Sequence, residues 1–268
     1  MSTVRSQYTS NEHLNKQITV GITEFHRPLD LARCVRSVHQ YLPGAVIRIQ
    51  KTGGTVTWAR NELVRRCRTP YFFLLEEDME VTANIDLRGM MRILHSGPYL
   101  GVSGLLYEPR YRRKWRGAAC VFDDRYTAVD SHDMRRCNGV RFIHCHYTMN
   151  WGLFNMLHLR EYQWNEMLNL NEHAEFFWHI FLSGRHAMAC TGMHVIHHHS
   201  RPNVTYNMLR NRASQKAKGA EIIAIGGRLK WRHDQYAAVR LLKGTTKYNE
   251  RSMSSIKRGR PSKDRVYR

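Results

Sequence analysis

The chain has 268 residues, of which 42% are hydrophobic, so it is long enough to bury a core and too apolar for a disordered polyelectrolyte. It carries 42 Lys and Arg against 22 Asp and Glu, which gives a net charge of +20. Such an excess predicts a polyanionic partner: nucleic acid, an anionic membrane surface or an acidic glycan.

The cysteine pattern and the hydropathy favour a cytoplasmic protein, in the host cytoplasm if the protein is viral. The six cysteines form no CxxC pair, which argues against a zinc ribbon or a disulfide framework. No stretch approaches the roughly 18 to 20 apolar residues of a membrane span. Residues 1–16 contain no apolar segment of the kind found in a secretory signal.

The first half of the chain alternates predicted strands and helices. Strands are predicted at 18–23, 45–49 and 71–75, and helices at 28–42 and around 59–64. This β-α-β-α-β order with short connections predicts an α/β fold of the doubly wound, Rossmann-like kind, with a mostly parallel sheet and flanking helices.

The composition divides the chain into four predicted parts. A flexible arm is expected at 1–16, one main domain at 17–205, a helical basic extension at 206–242 and a flexible basic tail at 243–268.

The predicted strand at 71–75 runs directly into Glu76, Glu77 and Asp78. A short, continuous apolar run is typical of a strand buried on both faces, and open α/β sheets bind their ligands at the carboxyl ends of such strands. Three adjacent carboxylates repel one another, and a divalent cation such as Mg²⁺ or Mn²⁺ relieves that repulsion. The alternative is a solvated acidic turn.

Two later segments carry further candidate site residues. A helix is predicted to start at Asn171, with Glu172 and Glu175 in its first turn, and a strand at 187–196 is followed by three histidines that include His198. Seen alone, the acids suit a helix N-terminus and the histidines suit a surface.

Two basic segments are candidates for contact with nucleic acid. Residues 107–117 interleave cations with aromatic rings, as in Arg112, Arg113, Lys114 and Trp115, a pattern that suits a phosphate backbone with stackable bases. The alternative is a solvated loop.

The tail contains Arg258-Gly259-Arg260-Pro261, which resembles the core of an AT-hook that lies in a narrow A·T minor groove. The alternative is a nonspecific basic tail.

Together, the order of these parts resembles a GT-A glycosyltransferase of the family-2 type over about residues 17–200. The 57–61 segment Thr-Trp-Ala-Arg-Asn is similar to the segment that precedes the metal strand in that family. Leu75 to Asp78 stands where the family carries its DxD motif, with Glu76 replacing the usual first Asp. The helix at Glu172 resembles the acceptor-facing helix, and 195–198 resembles the late strand that supplies a histidine.

The resemblance implies a metal-dependent transfer of sugar from a nucleotide-sugar donor, most simply a UDP-sugar, to a hydroxyl acceptor. It implies Mg²⁺ or Mn²⁺ held by Asp78, Glu76 and His198, and a general base that is Glu172 or, as second choice, Glu175. The residues implied to contact the donor are Thr23, Arg27, Arg60 and Glu77.

The charge and the basic segments point to DNA as the acceptor, such as the hydroxymethylpyrimidine DNA that phage-type enzymes modify. A surface glycan or a lipid-linked saccharide is the alternative acceptor, with peripheral membrane contact. A nucleic-acid-binding protein on a transferase scaffold without activity is a second alternative.

Overall fold

The computed structural model of the chain describes residues 13–53, 55–109, 114–122, 127–168, 172–198, 230–232 and 237–243. The predicted arm up to residue 12, most of the predicted extension and the tail beyond residue 243 lie outside these ranges. So do Arg112, Arg113, Arg258 and Arg260, four of the residues proposed to contact nucleic acid.

The described residues form fourteen strands and six helices. The strands are β1 (Ile18–Glu24), β2 (Val46–Lys51), β3 (Tyr71–Glu76), β4 (Met79–Glu80), β5 (Tyr99–Glu108), β6 (Lys114–Arg116), β7 (Ala119–Phe122), β8 (Thr127–Asp130), β9 (Met134–Cys137), β10 (Val140–Cys145), β11 (Tyr147–Thr148), β12 (Gly152–Asn155), β13 (Ala187–His197) and β14 (Lys230–Arg232). The helices are α1 (Pro28–Tyr41), α2 (Val56–Arg66), α3 (Leu87–His95), α4 (Met156–Leu159), α5 (Glu172–Ser183) and α6 (Ala237–Lys243).

Ten strands form one large sheet. Its main path has the order β2-β1-β3-β12-β5-β13-β10-β9, with β4 paired to β13 and β6 to β5. Strands β1, β2, β3, β5 and β13 all run in one direction, whereas β12 lies antiparallel between β3 and β5. A smaller sheet has the order β11-β7-β8-β14.

The predicted α/β class is therefore confirmed, with a sheet that is mixed. The β-α-β-α-β start appears as β1, α1, β2, α2 and β3, with all three strands parallel. Antiparallel pairing begins where β12 inserts beside β3.

Strand β3 is buried on both faces, as its apolar run predicts. Phe72 and Leu74 belong to one hydrophobic core, whereas Phe73 and Leu75 belong to another. Because successive side chains of a strand point to opposite faces, the two cores cover the two sides of the sheet. The strand that ends in the acidic run is thus central and rigidly held.

Close packing fixes β1 against β3. A Cβ atom placed on Gly21 would lie 2.4 Å from the ring of Phe72, so only glycine fits beneath that ring. The register sets Thr23 beside Glu76, which brings the carboxyl ends of both strands level. Within the described ranges, no helix has the length and apolar character needed to cross a membrane.

Candidate functional site

The parallel strands place several acidic and basic residues at one edge of the sheet. The carboxyl ends of β1, β3, β5 and β13 lie at this edge because the four strands share a direction. Glu76 ends β3, Glu108 ends β5 and His197 ends β13. This is the edge at which open α/β sheets bind ligands.

Asp78 lies in a tight turn between β3 and β4. Strand β4 then pairs with β13, so that Met79 stands opposite His197. The backbone N–H of His198 donates a hydrogen bond of 2.8 Å to the carbonyl oxygen of Asp78. The turn therefore holds Asp78 against the end of β13.

The carboxylate of Asp78 has two basic neighbours. Its Oδ2 accepts a hydrogen bond of 2.8 Å from Nη1 of Arg27 and lies 3.5 Å from Nε2 of His197. Burial by itself would raise the pKa of Asp78, but the hydrogen bond and charge of His197, together with Arg27, outweigh it and lower that pKa. Oδ1 is buried and has no hydrogen-bond partner within the part of the chain that the structure describes.

The histidine beside Asp78 is His197, which the sequence did not single out. Its Nδ1 lies 3.2 Å from Oε1 of Glu108, a fully buried carboxylate. The side chain of His198, the predicted metal ligand, instead bonds through Nε2 to Oε2 of Glu80 at 2.7 Å. Burial would lower the pKa of His197, yet the neighbouring Asp78 and Glu108 carboxylates leave it raised.

Glu77 points into the turn after β1 and is completely buried. Its Oε2 accepts the backbone N–H of Phe25 at 2.8 Å and that of Arg27 at 3.4 Å, and its Oε1 accepts Nε of Arg27 at 2.5 Å. His26 between them has a φ of 63°, a backbone conformation that turns successive N–H groups toward one anion. Glu77 therefore holds the segment that presents Arg27.

Arg60 joins two of the predicted site residues across the fold. Only 1% of its side chain is exposed; Nη2 lies 2.8 Å from Oε1 of Glu76, and Nη1 lies 3.4 Å from Oε1 of Glu172. Asn150, just before β12, donates to the same Glu76 oxygen at 2.5 Å. Burial raises the pKa of Glu76, and the charge of Arg60 opposes that rise.

The two candidate bases point in different directions. Glu172 reaches Arg60 and thereby the acidic edge. Glu175, one turn along α5, lies 3.0 Å from Nε2 of His179 and accepts a longer bond, 3.4 Å, from Asn165. The arrangement places Glu172, and not Glu175, beside the acids of β3.

The remaining predicted site residues lie near the same edge. Thr23 is buried near the end of β1, and its carbonyl oxygen accepts the N–H of Glu77 at 3.1 Å. Lys114 and Trp115 lie on β6, whose backbone pairs with the end of β5 in a register that sets Lys114 opposite Glu108. The later part of the basic-aromatic segment therefore runs beside the end of β5.

The side chains at this edge suit a divalent cation that a bound ligand would help to coordinate. Among the described residues, no three His, Cys, Asp or Glu side chains already converge on one metal position. Mg²⁺ in nucleotide sites uses one or two carboxylates and completes its shell with phosphates and water. The buried Oδ1 of Asp78 is such an oxygen, and Glu76 and His197 are candidate partners because both interact with the Asp78 carboxylate.

Comparisons with known proteins assign no family to this site. No protein-family model matches the chain, and no curated protein matches it either.

We predict that Glu108 orients His197 toward Asp78. Replacing Glu108 by Gln should lower Mn²⁺ affinity and activity by about 10- to 100-fold, because the carboxylate that fixes the imidazole loses its charge. Isothermal titration with Mn²⁺ checks this. Glu80→Gln, which removes the carboxylate beside His198, is the matched control. A loss confined to Glu80→Gln would instead assign the ligand role to His198.

We predict that His173, next to Glu172, makes stability depend on pH. Its Nε2 lies 3.2 Å from the carbonyl oxygen of Thr148, and burial with the nearby charge of Arg60 lowers its pKa to about 3. The folded protein therefore keeps His173 neutral, while the unfolded chain takes up a proton below about pH 6.5. The free energy of unfolding should fall by up to about 1.4 kcal/mol per pH unit below that value.

Urea unfolding at about pH 7.5 and at about pH 5.5, on either side of the ordinary histidine pKa, measures this effect. His173→Gln should flatten the pH dependence, whereas the exposed His39→Gln on α1 should not. Equal slopes in both variants would contradict the assignment to His173.

Proposed function

We propose that the protein is a metal-dependent glycosyltransferase that moves a sugar from a nucleotide-sugar donor to a hydroxyl acceptor. The observation that carries the proposal is the arrangement at the carboxyl edge of the sheet. There Asp78 offers a buried carboxylate oxygen that has no hydrogen-bond partner among the described residues, and Arg60 links Glu76 to Glu172. The family-2 resemblance of the sequence predicts the same residues.

The donor side would be formed by the turn after β1 and by the end of β3. A nucleotide-sugar loses its diphosphate as the sugar departs, so negative charge grows on the leaving oxygen. Bound Mg²⁺ or Mn²⁺ would neutralise that charge as a Lewis acid. Asp78 and Glu76 would hold the cation, and Arg27 would add a fixed positive charge.

The acceptor side would be formed by the start of α5. The carboxylate of Glu172 accepts the proton of the acceptor hydroxyl. At the same time the hydroxyl oxygen bonds to the anomeric carbon of the sugar, and the bond between that carbon and the diphosphate breaks. Glu172 is partly accessible, with 16% of its side chain exposed, and Arg60 fixes its position.

For the acceptor we propose DNA that carries a hydroxymethylated base. The net charge of +20 favours a polyanion. Strand β6, which carries Lys114 and Trp115, runs beside the site. Reaching a hydroxyl on a base would require that base to be exposed, for example by flipping.

A donor screen tests the function directly. Purified protein with Mn²⁺ is incubated with UDP-sugars and with hydroxymethylated DNA, plain DNA or a lipid-linked saccharide, and products are read by mass spectrometry. Transfer to hydroxymethylated DNA alone is the expected result. Transfer to the saccharide would support the glycosyltransferase proposal with a different acceptor. DNA binding without donor turnover would support the non-catalytic alternative.

We predict that Glu172→Gln lowers transfer by about 10²- to 10⁴-fold, since general-base catalysis contributes an effect of that size. Glu175→Gln is the matched control on the same helix and should retain transfer, because its carboxylate faces His179. Normal turnover by Glu172→Gln with loss in Glu175→Gln would move the base to Glu175.

A further inference from the structure

A second candidate site lies along α2. A cavity of about 290 Å³ opens between the C-terminal half of that helix and the segment at 160–163. Arg65, Arg68 and Arg160 line it, while Asn61 and Tyr162 contribute buried polar lining. Among the described residues, the lining contains three guanidinium groups and no carboxylate, although Glu166 next to it accepts a hydrogen bond of 2.9 Å from Asn61.

The three arginines carry more positive charge than the neighbouring carboxylates of Glu62 and Glu166 neutralise. Arg65 is held by Glu62 at 2.7 Å and by Glu166 at 3.5 Å. Arg160 donates through Nη2 to the carbonyl oxygen of Cys67 at 3.1 Å, and no carboxylate in the described ranges pairs with it. Arg68 is exposed and forms no ion pair with any residue that the structure describes. Planar guanidinium groups that converge on one cavity suit the oxygens of a phosphate.

The framework of the cavity is already fixed without a ligand. Asn61 donates to the carbonyl oxygen of Trp164 at 2.8 Å and accepts the N–H of Trp164 at 3.0 Å. The hydroxyl of Tyr162 bonds to Ser183 and to His186, each at 2.9 Å. Binding an anion here would therefore order only the arginine side chains, which keeps the entropic cost low.

Helix α2 contributes residues both to this cavity and to the acidic edge. Arg60 points from α2 toward Glu76, whereas its neighbour Asn61 faces the cavity. A helix rises 1.5 Å per residue, so Arg65 lies only about 7.5 Å along the axis from Arg60. The cavity is thus distinct from the acidic edge in its residues and opposite to it in charge.

We propose that this arginine pocket binds a phosphate group, supplied either by a nucleic-acid backbone or by a free phosphorylated ligand. The net charge of +20 supplies the long-range attraction for such a ligand. The proposal does not depend on the transferase activity, because it concerns binding alone.

Arg68→Gln tests the proposal, with Arg66→Gln as the matched control. Arg66 is the last residue of α2, two positions before Arg68; 61% of its side chain is exposed, and it does not line the pocket. Two probes are used on the full chain: inorganic phosphate, read as a rise in Tm, and a labelled DNA oligonucleotide, read by anisotropy at several salt concentrations.

If the pocket takes a backbone phosphate, Arg68→Gln should weaken DNA binding by about tenfold at low salt and reduce the salt slope by about 1. If it takes a free phosphate, Arg68→Gln should abolish the phosphate-induced rise in Tm and leave DNA binding unchanged. A double variant with Arg160→Gln, checked for folding by circular dichroism, should enlarge whichever effect is seen. Wild-type behaviour of both variants with both probes would overturn the proposal.

Discussion

Asp78→Asn is expected to lower sugar transfer by at least about 10²-fold while the fold is retained, since fixed charges at such sites contribute effects of that size. Asn keeps the shape of the side chain and loses its negative charge. Oδ1 of Asp78 is a buried oxygen without a hydrogen-bond partner among the described residues, and a neutral amide oxygen binds a hard cation more weakly than a carboxylate does. Initial rates with the donor found in the screen measure the loss.

The fold should survive because the neighbours of Asp78 keep other partners. Arg27 retains its ion pair with Glu77, and His197 retains Glu108. Asp133→Asn is the matched control, since Asp133 is an exposed residue paired only with Arg135 among the described residues. Activity that persists in Asp78→Asn, or that resists EDTA in the wild type, would remove the basis of the metal-dependent mechanism.

The sequence was sufficient to predict the strand that carries the acids. The run from Tyr71 to Leu75 can be buried only if both faces of the strand are covered, and the structure covers both. It was not sufficient to predict β12, which has only four residues and lies antiparallel between β3 and β5. That insertion depends on pairing between residues about 50 to 80 positions apart, for which local periodicity carries no signal.

The identity of the histidine beside Asp78 shows the same limit. Three consecutive histidines follow the apolar part of β13, and a strand sends successive side chains to opposite faces. Which one meets Asp78 depends on the register of β13 with β4, where His197 stands opposite Met79. A shift of one residue would exchange His197 and His198, so the sequence could predict the segment but not the residue.

The bridging role of Arg60 was also beyond the sequence, although Arg60 itself was a predicted site residue. Its two partners lie 16 and 112 positions away along the chain. They meet because α2 packs against β1 and β2, next to β3 in the sheet, and the start of α5 approaches the same edge. Nothing in the local sequence pattern around Glu172 indicates its contact with Arg60. That contact distinguishes Glu172 from Glu175, which lies on the same helix and pairs with His179.

Arg60→Met should destabilise the protein by about 3 to 5 kcal/mol, which is the cost of breaking a buried ion pair on one side. The guanidinium is almost completely buried and joins Glu76 to Glu172, so its removal leaves two carboxylates facing each other without a cation. The Tm should fall by roughly 10 °C in a chain of this size. Thermal unfolding followed by circular dichroism measures the change.

The matched control is Arg66→Met on the same helix, which removes an exposed arginine and should change stability by less than about 0.5 kcal/mol. A compensating variant separates charge from packing. Adding Glu76→Gln to Arg60→Met removes one of the two uncompensated charges, and stability should then recover in part. If the double variant is no more stable than Arg60→Met alone, Arg60 acts through packing against Trp164 and not through charge. That result would contradict an electrostatic link between the acidic edge and Glu172.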